Sequence, residues 1–153
     1  MKKLILMLIR VFGGVYFFLG VLKLQNLLFA KDAMLDYLQS PNPIFYFLTN
    51  KPILLAAAVV ELIVGLFLMF PRMSLRTSAK MLVWVSAVTI GYKIGLTLVH
   101  YKGPCGCLLG INSLLPISIA AQKIIADVIL GCAILLGICA MVSVKSEPPP
   151  DAG

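Results

Sequence analysis

Two thiols stand one residue apart in Pro104-Cys105-Gly106-Cys107-Leu108, a short break between long apolar stretches. Thiols at that spacing can hold or pass on a disulfide. An extended backbone sets them roughly 6.6 Å apart, at the edge of disulfide reach, so closing the bond needs a bend, which Gly106 permits by tolerating positive φ. A bridge across so small a ring is strained, and a strained disulfide is a stronger oxidant than a relaxed structural one. That favours exchange over stapling. The competing readings are two idle thiols, a permanently closed turn, or half of a metal site. His100 is near, but one imidazole and two thiolates leave a tetrahedral zinc site one ligand short, so no metal is expected.

Lys23, Glu61, Lys93 and Asp127 are ionisable residues within or at the end of apolar stretches, where charge is costly and usually paired. Glu61 is roughly 13 Å and Lys93 roughly 9 Å below the outer ends of their segments, at the rise of an α-helix. Asp127 lies one turn into the last segment and Lys23 closes the first, so all four fall on the cysteine side. They form a self-neutralising cluster, most simply as Lys23 with Glu61 and Lys93 with Asp127. As a structural device such a cluster fixes helix register. As a functional one it is a proton path or quinone head-group site beneath the thiol loop, with Tyr92, Tyr101 and His100 as further contributors. Cys132 and Cys139 are separated by roughly 10.5 Å of helix, cannot bridge, and read as buried packing residues, with Cys132 as a relay thiol the minor alternative.

The elements that must carry these groups follow from composition. Of 153 residues, 61% are hydrophobic and 12% charged, which makes lipid the solvent. Leu4 to Leu22, Pro52 to Phe70, Met81 to Val99 and Ile124 to Val144 each approach the ~20 residues a membrane-crossing helix needs. In lipid every backbone group must be satisfied within its segment, so the expected fold is all-α: one membrane four-helix bundle over residues 1–145. The Pro-rich residues 146–153 are read as a disordered tail. The first segment exceeds the usual apolar core of a signal peptide and lacks a good cleavage site, so it is read as retained.

Between the first two segments, Phe29, Met34, Leu35, Tyr37 and Leu38 interleave with Lys31, Asp32 and Asp36 in a helical pattern ended by Ser40-Pro41-Asn42-Pro43, which predicts a short interfacial helix. Pro116 is expected to open another before the last segment. Lys2, Lys3, Arg10, Arg72, Arg76, Lys80 and Lys145 fall on one side of the bundle, and Lys23, Lys31, Lys51, Lys102 and Lys123 on the other. Both termini are therefore expected in the cytoplasm and the thiols outside the cytoplasmic membrane, where disulfides persist. Basic membrane flanks account for the net charge of +7, with no nucleic-acid partner. Gly13-Gly14, Gly20, Gly65, Gly91 with Gly95, and Gly131 with Gly137 offer small faces for helix contact, the G-x-x-x-G form at 91–95 reading as ordinary packing.

Taken together, Gly20-Val21-Leu22-Lys23-Leu24, Glu61-Leu62-Ile63-Val64-Gly65-Leu66, Cys105-Gly106-Cys107 and the stretch from Lys123 to Asp127 resemble the MauE/DoxX group of redox-associated membrane proteins. The resemblance covers about residues 4 to 144. It implies a four-helix bundle in the cytoplasmic membrane, associated with disulfide formation in exported proteins or with quinone-linked oxidation. One departure is that Leu108 and Leu109 both precede Gly110, where the family pattern has a single bulky residue. The function expected is a thiol-disulfide redox protein with Cys105 and Cys107 as its working centre. Its partners would be a periplasmic thioredoxin-like or exported protein and, as electron acceptor, a quinone or second redox protein. The alternative is a non-catalytic subunit of a larger membrane complex. A carrier is not favoured, since four helices without an internal repeat give it little support.

Overall fold

The computed structural model describes residues 2–30, 32–70, 73–101 and 118–145. Cys105, Cys107, Pro116 and the tail at 146–153 lie outside the described residues. Among the described residues five helices follow one another: α1 (Lys2–Leu28), α2 (Asp32–Gln39), α3 (Asn50–Met69), α4 (Leu75–Leu98) and α5 (Ile119–Lys145). Four of them, all but α2, are long and apolar enough to cross a membrane. The chain is an all-α, multi-pass membrane protein. Large apolar side chains such as Phe18, Ile63, Trp84 and Val128 stay exposed on the outside of the bundle, as lipid rather than water requires.

The helices run past the apolar stretches because polar residues close their ends. Ser74 caps α4, its hydroxyl accepting from the Thr77 amide at 3.1 Å, and the Ser118 hydroxyl accepts from the Ala121 amide at 3.3 Å before the first turn of α5. Pro52 sits in the first turn of α3, where its missing N–H costs nothing. At the other end of α4, the His100 and Tyr101 amides donate to the Thr97 and Leu96 carbonyls, both at 3.0 Å, with His100 at φ 53°. His100, expected beside the thiols as a chemical group, is thus the left-handed residue of a Schellman stop.

The bundle consists of two antiparallel hairpins, α1 with α3 and α4 with α5, and packing is closest within each hairpin. In the first, glycines let backbones touch. A Cβ on Gly65 would stand 2.5 Å from the Phe17 amide nitrogen and 2.8 Å from the Gly13 carbonyl oxygen, and one on Gly20 would meet the Ala58 carbonyl oxygen at 2.9 Å. The second hairpin has one such contact, Gly137 against Val83. The G-x-x-x-G of α4 is no helix seam: Gly91 has nothing within 4 Å, and Gly95 meets Ile44 of the α2–α3 connection. Between the hairpins the core gathers Ile9, Tyr16, Val64, Leu68, Leu82, Val85 and Ala133, and a buried 2.9 Å hydrogen bond joins the hydroxyls of Tyr16 and Ser86.

The two hairpins share a short similarity in sequence. Glu61-Leu62-Ile63-Val64-Gly65 in α3 is matched by Asp127-Val128-Ile129-Leu130-Gly131 in α5. Each acid follows a helix that carries a lysine little more than one turn from its end, Lys23 in α1 and Lys93 in α4.

Backbone contact at Gly65 makes it the most sensitive small residue of the bundle. Gly65→Val is expected to lower stability by about 1–3 kcal/mol through overpacking, whereas Gly14→Ala, which meets nothing within 4 Å, should leave the unfolding midpoint in detergent almost unchanged.

Candidate functional site

The chemistry-bearing residues of the described bundle collect at the end where α1 and α4 stop and α3 and α5 start. Helical side chains lean toward the N-terminus of their own helix. Lys23 near the end of α1 therefore leans into the bundle, and Glu61 of the antiparallel α3 leans out toward it. Lys23 Nζ donates to Glu61 Oε1 in a buried ion pair, the two side chains 3% and 9% exposed. Lys93 and Asp127 meet by the same geometry, Lys93 Nζ donating to Asp127 Oδ1, but there the side chains are 16% and 66% exposed.

The predicted pairings are thus present. The predicted single cluster is not. Lys23 and Glu61 line a groove between α3 and α4 together with Trp84, Thr89 and Tyr92, while Lys93 and Asp127 line a separate cavity of about 390 Å³ between α4 and α5 with Tyr101 and Lys123. Neighbouring residues of a helix point about 100° apart, so Tyr92 and Lys93 open on different sides of α4. The two similar segments accordingly differ in burial: the Glu61 side chain is 9% exposed and that of Asp127 66%.

The α3–α4 groove has a volume of about 270 Å³ and is walled mainly by Ile53, Ala56, Ala57, Val60, Val85 and Val88. At its floor the second carboxylate oxygen of the ion pair, Glu61 Oε2, is buried and accepts no hydrogen bond among the described residues.

A polar clamp that the sequence did not reveal closes the same end. Asn42 and Asn50 are buried, and Asn42 Nδ2 donates to Asn50 Oδ1 at 2.9 Å and to the Tyr92 hydroxyl at 2.8 Å. Asn42 Oδ1 accepts from the Ile44 and Phe45 amides, while Asn50 Nδ2 donates to the Tyr37 carbonyl and the Ser40 hydroxyl, each at 3.0 Å or less. The signal was the Asn42-Pro43 dipeptide, which reads as a chain breaker but here also supplies an Asx turn. The clamp ties the connection after α2 to α4 beside the groove and holds Phe45, Tyr46 and Phe47 exposed at the bundle's end.

Cys132 and Cys139 are exposed on α5 rather than buried. The inward stripe of that helix is Ala126, Leu130, Ala133, Gly137 and Ala140, and the two cysteines fall on the lipid side of it. Among the described residues no three His, Cys, Asp or Glu side chains approach one another closely enough to hold a metal ion. No family profile, curated protein or solved structure matches the chain.

The unequal burial of the pairs sets the cost of breaking them. Lys23→Met leaves the Glu61 carboxylate buried alone and should cost about 3–5 kcal/mol. Lys93→Met leaves an Asp127 that is exposed rather than buried in the bundle, and should cost less than Lys23→Met. Denaturation in detergent measures both, and the double variant Lys23→Met/Glu61→Leu should regain most of the first loss because no buried charge remains.

Proposed function

We propose that the chain is a membrane thiol-disulfide redox protein of the kind its resemblance to the MauE/DoxX group implies, with Cys105 and Cys107 as the exchanging pair. What supports the reading is the position of both ion pairs. The segment carrying the thiols joins the end of α4 to the start of α5, and those helix ends belong to the end of the bundle that holds Lys23, Glu61, Lys93 and Asp127. Cys105 follows Tyr101 by a tether of at most about 14 Å at full extension.

In the exchange, a thiolate of an exported or thioredoxin-like partner attacks the Cys105–Cys107 disulfide and forms a mixed disulfide. The partner's second thiolate then displaces it. The partner leaves oxidised by two electrons, Cys105 and Cys107 remain as thiols, and the two protons end on them. Transfer of two electrons and two protons from the dithiol to a membrane quinone gives a quinol and restores the disulfide. A second redox protein serves equally as acceptor. Asp127, exposed and paired with Lys93, is the carboxylate suited to exchanging protons with water on that side. The excess of Lys and Arg at the N-terminal end of the bundle supports both termini in the cytoplasm and the thiols on the outer side of the cytoplasmic membrane.

A second reading, an accessory subunit of a larger membrane complex, is favoured by one observation. Gly14, Gly91 and Gly131 have nothing within 4 Å of a Cβ position, which leaves small-residue faces of the kind that admit another helix.

Thiol chemistry separates the two. Cys105→Ser and Cys107→Ser are each expected to abolish oxidation of the partner without unfolding the helices, because closing a one-residue loop removes little entropy from the unfolded chain. One of the two should accumulate a mixed disulfide in membranes. A membrane-impermeant thiol reagent applied to reduced, intact spheroplasts should label the pair. Full activity of both variants would leave the accessory reading, and labelling only after lysis would reverse the orientation.

A further inference from the structure

We propose that the α3–α4 groove binds the hydroxyl head of an apolar-tailed molecule drawn from the bilayer, with Glu61 Oε2 accepting its hydrogen bond. Three features of the groove select that chemistry. The wall is apolar and about 270 Å³ in volume, near the low end of the ~300–1,000 Å³ of small-molecule sites, so it suits a head group with one branch of tail. Its flanks at Trp84 and Val88 are exposed on the lipid side of α4, so the tail can remain in the hydrocarbon.

The floor supplies the selectivity. Glu61 lies about 16 Å along α3 from Asn50, at hydrocarbon depth, where water is scarce and an unsatisfied acceptor is unfavourable. Lys23 occupies Oε1, and Oε2 awaits a donor. The pair is already neutral as a unit, so a cationic or an anionic head would add an uncompensated charge at that depth. A neutral donor is the remaining class. A hydroxyl suits it best, because it can donate to Glu61 Oε2 and also accept from Lys23 Nζ, which carries three N–H groups and uses one on Glu61.

Quinols, isoprenoid alcohols and diacylglycerols share this chemistry. A quinol would connect the groove to the redox reading, whereas the other two would make it a lipid site independent of the thiols. The proposal itself rests on the groove and not on Cys105 or Cys107.

Trp84 is the single tryptophan of the chain and lines the groove, so its fluorescence reports occupancy. The full-length protein in lipid nanodiscs is titrated with decylhydroquinone, farnesol and dioctanoylglycerol, and in parallel with the O-methyl ethers of each. At least one hydroxyl probe is expected to change Trp84 emission saturably, its ether binding at least about tenfold more weakly, as loss of a hydrogen bond to a charged acceptor implies. Glu61→Gln should weaken binding by about the same factor. Ala57→Phe narrows the groove and should abolish the response, with thermal unfolding measured to confirm that the variant is folded.

A response confined to the quinol, retained in Cys105→Ser, would support the site and connect it to the redox reading as a place for the reduced product of a quinone acceptor. A response to farnesol or dioctanoylglycerol alone would support the site and separate it from that reading. If alcohols and ethers bind alike, if no probe gives a saturable response, or if folded Ala57→Phe binds as well as the parent, the proposal falls.

Discussion

A charge held in hydrocarbon must be neutralised where it stands, and the Lys23–Glu61 pair is where this chain meets that requirement most strictly. The pair sets the register of α1 against α3, since a shift by one turn would carry the ammonium about 5.4 Å from the carboxylate. It also needs the backbones close enough for a lysine to reach across, which Gly13, Gly20 and Gly65 provide by leaving no side chain in the seam. Glycine contact and ion pair therefore support each other. The close seam lowers the dielectric around the charges, and the charges hold the seam in one register.

The two hairpins use one design for two environments. In the first, the acid is sealed from water yet borders a lipid-facing groove. In the second, it is exposed and borders a separate cavity between α4 and α5. A sealed carboxylate with one unoccupied oxygen is suited to recognising a neutral group, and an exposed one to trading protons with solvent. Tyr92 stands beside the first pair and Lys93 belongs to the second, so the two environments open on different sides of a single turn of α4. The asparagine clamp ends on that same tyrosine hydroxyl and holds the turn in place.

Much of this could be read from the residues. Four apolar runs of membrane-crossing length leave few alternatives to a helical bundle, and two lysines with two acids at similar depth leave few alternatives in pairing. The helix predicted after Phe29 is present as α2. Other features were hidden because they depend on which face of a helix turns inward. Nothing in Glu61-Leu62-Ile63-Val64-Gly65 and Asp127-Val128-Ile129-Leu130-Gly131 says that one acid is buried and the other exposed. That follows from the stripe of Ala126, Leu130 and Ala133, which turns Asp127 toward the edge of α5. Cys132 and Cys139 were misread for the same reason, since a small apolar residue suits the lipid face as well as the core. Asn42 and Asn50 were missed because their partners are distant in sequence, and a turn residue gives no notice that it will be buried.

Confining each ion pair to one hairpin has a consequence for how the chain enters a membrane during synthesis. Helices that leave the insertion machinery singly would expose Lys23 or Asp127 to lipid until a partner arrived. Here α3 brings the acid for the lysine of α1, and α5 the acid for the lysine of α4, so each hairpin becomes electrically complete before the other is needed. The nascent chain can pass into the bilayer as two hairpins in which Lys23 with Glu61 and Lys93 with Asp127 are already paired.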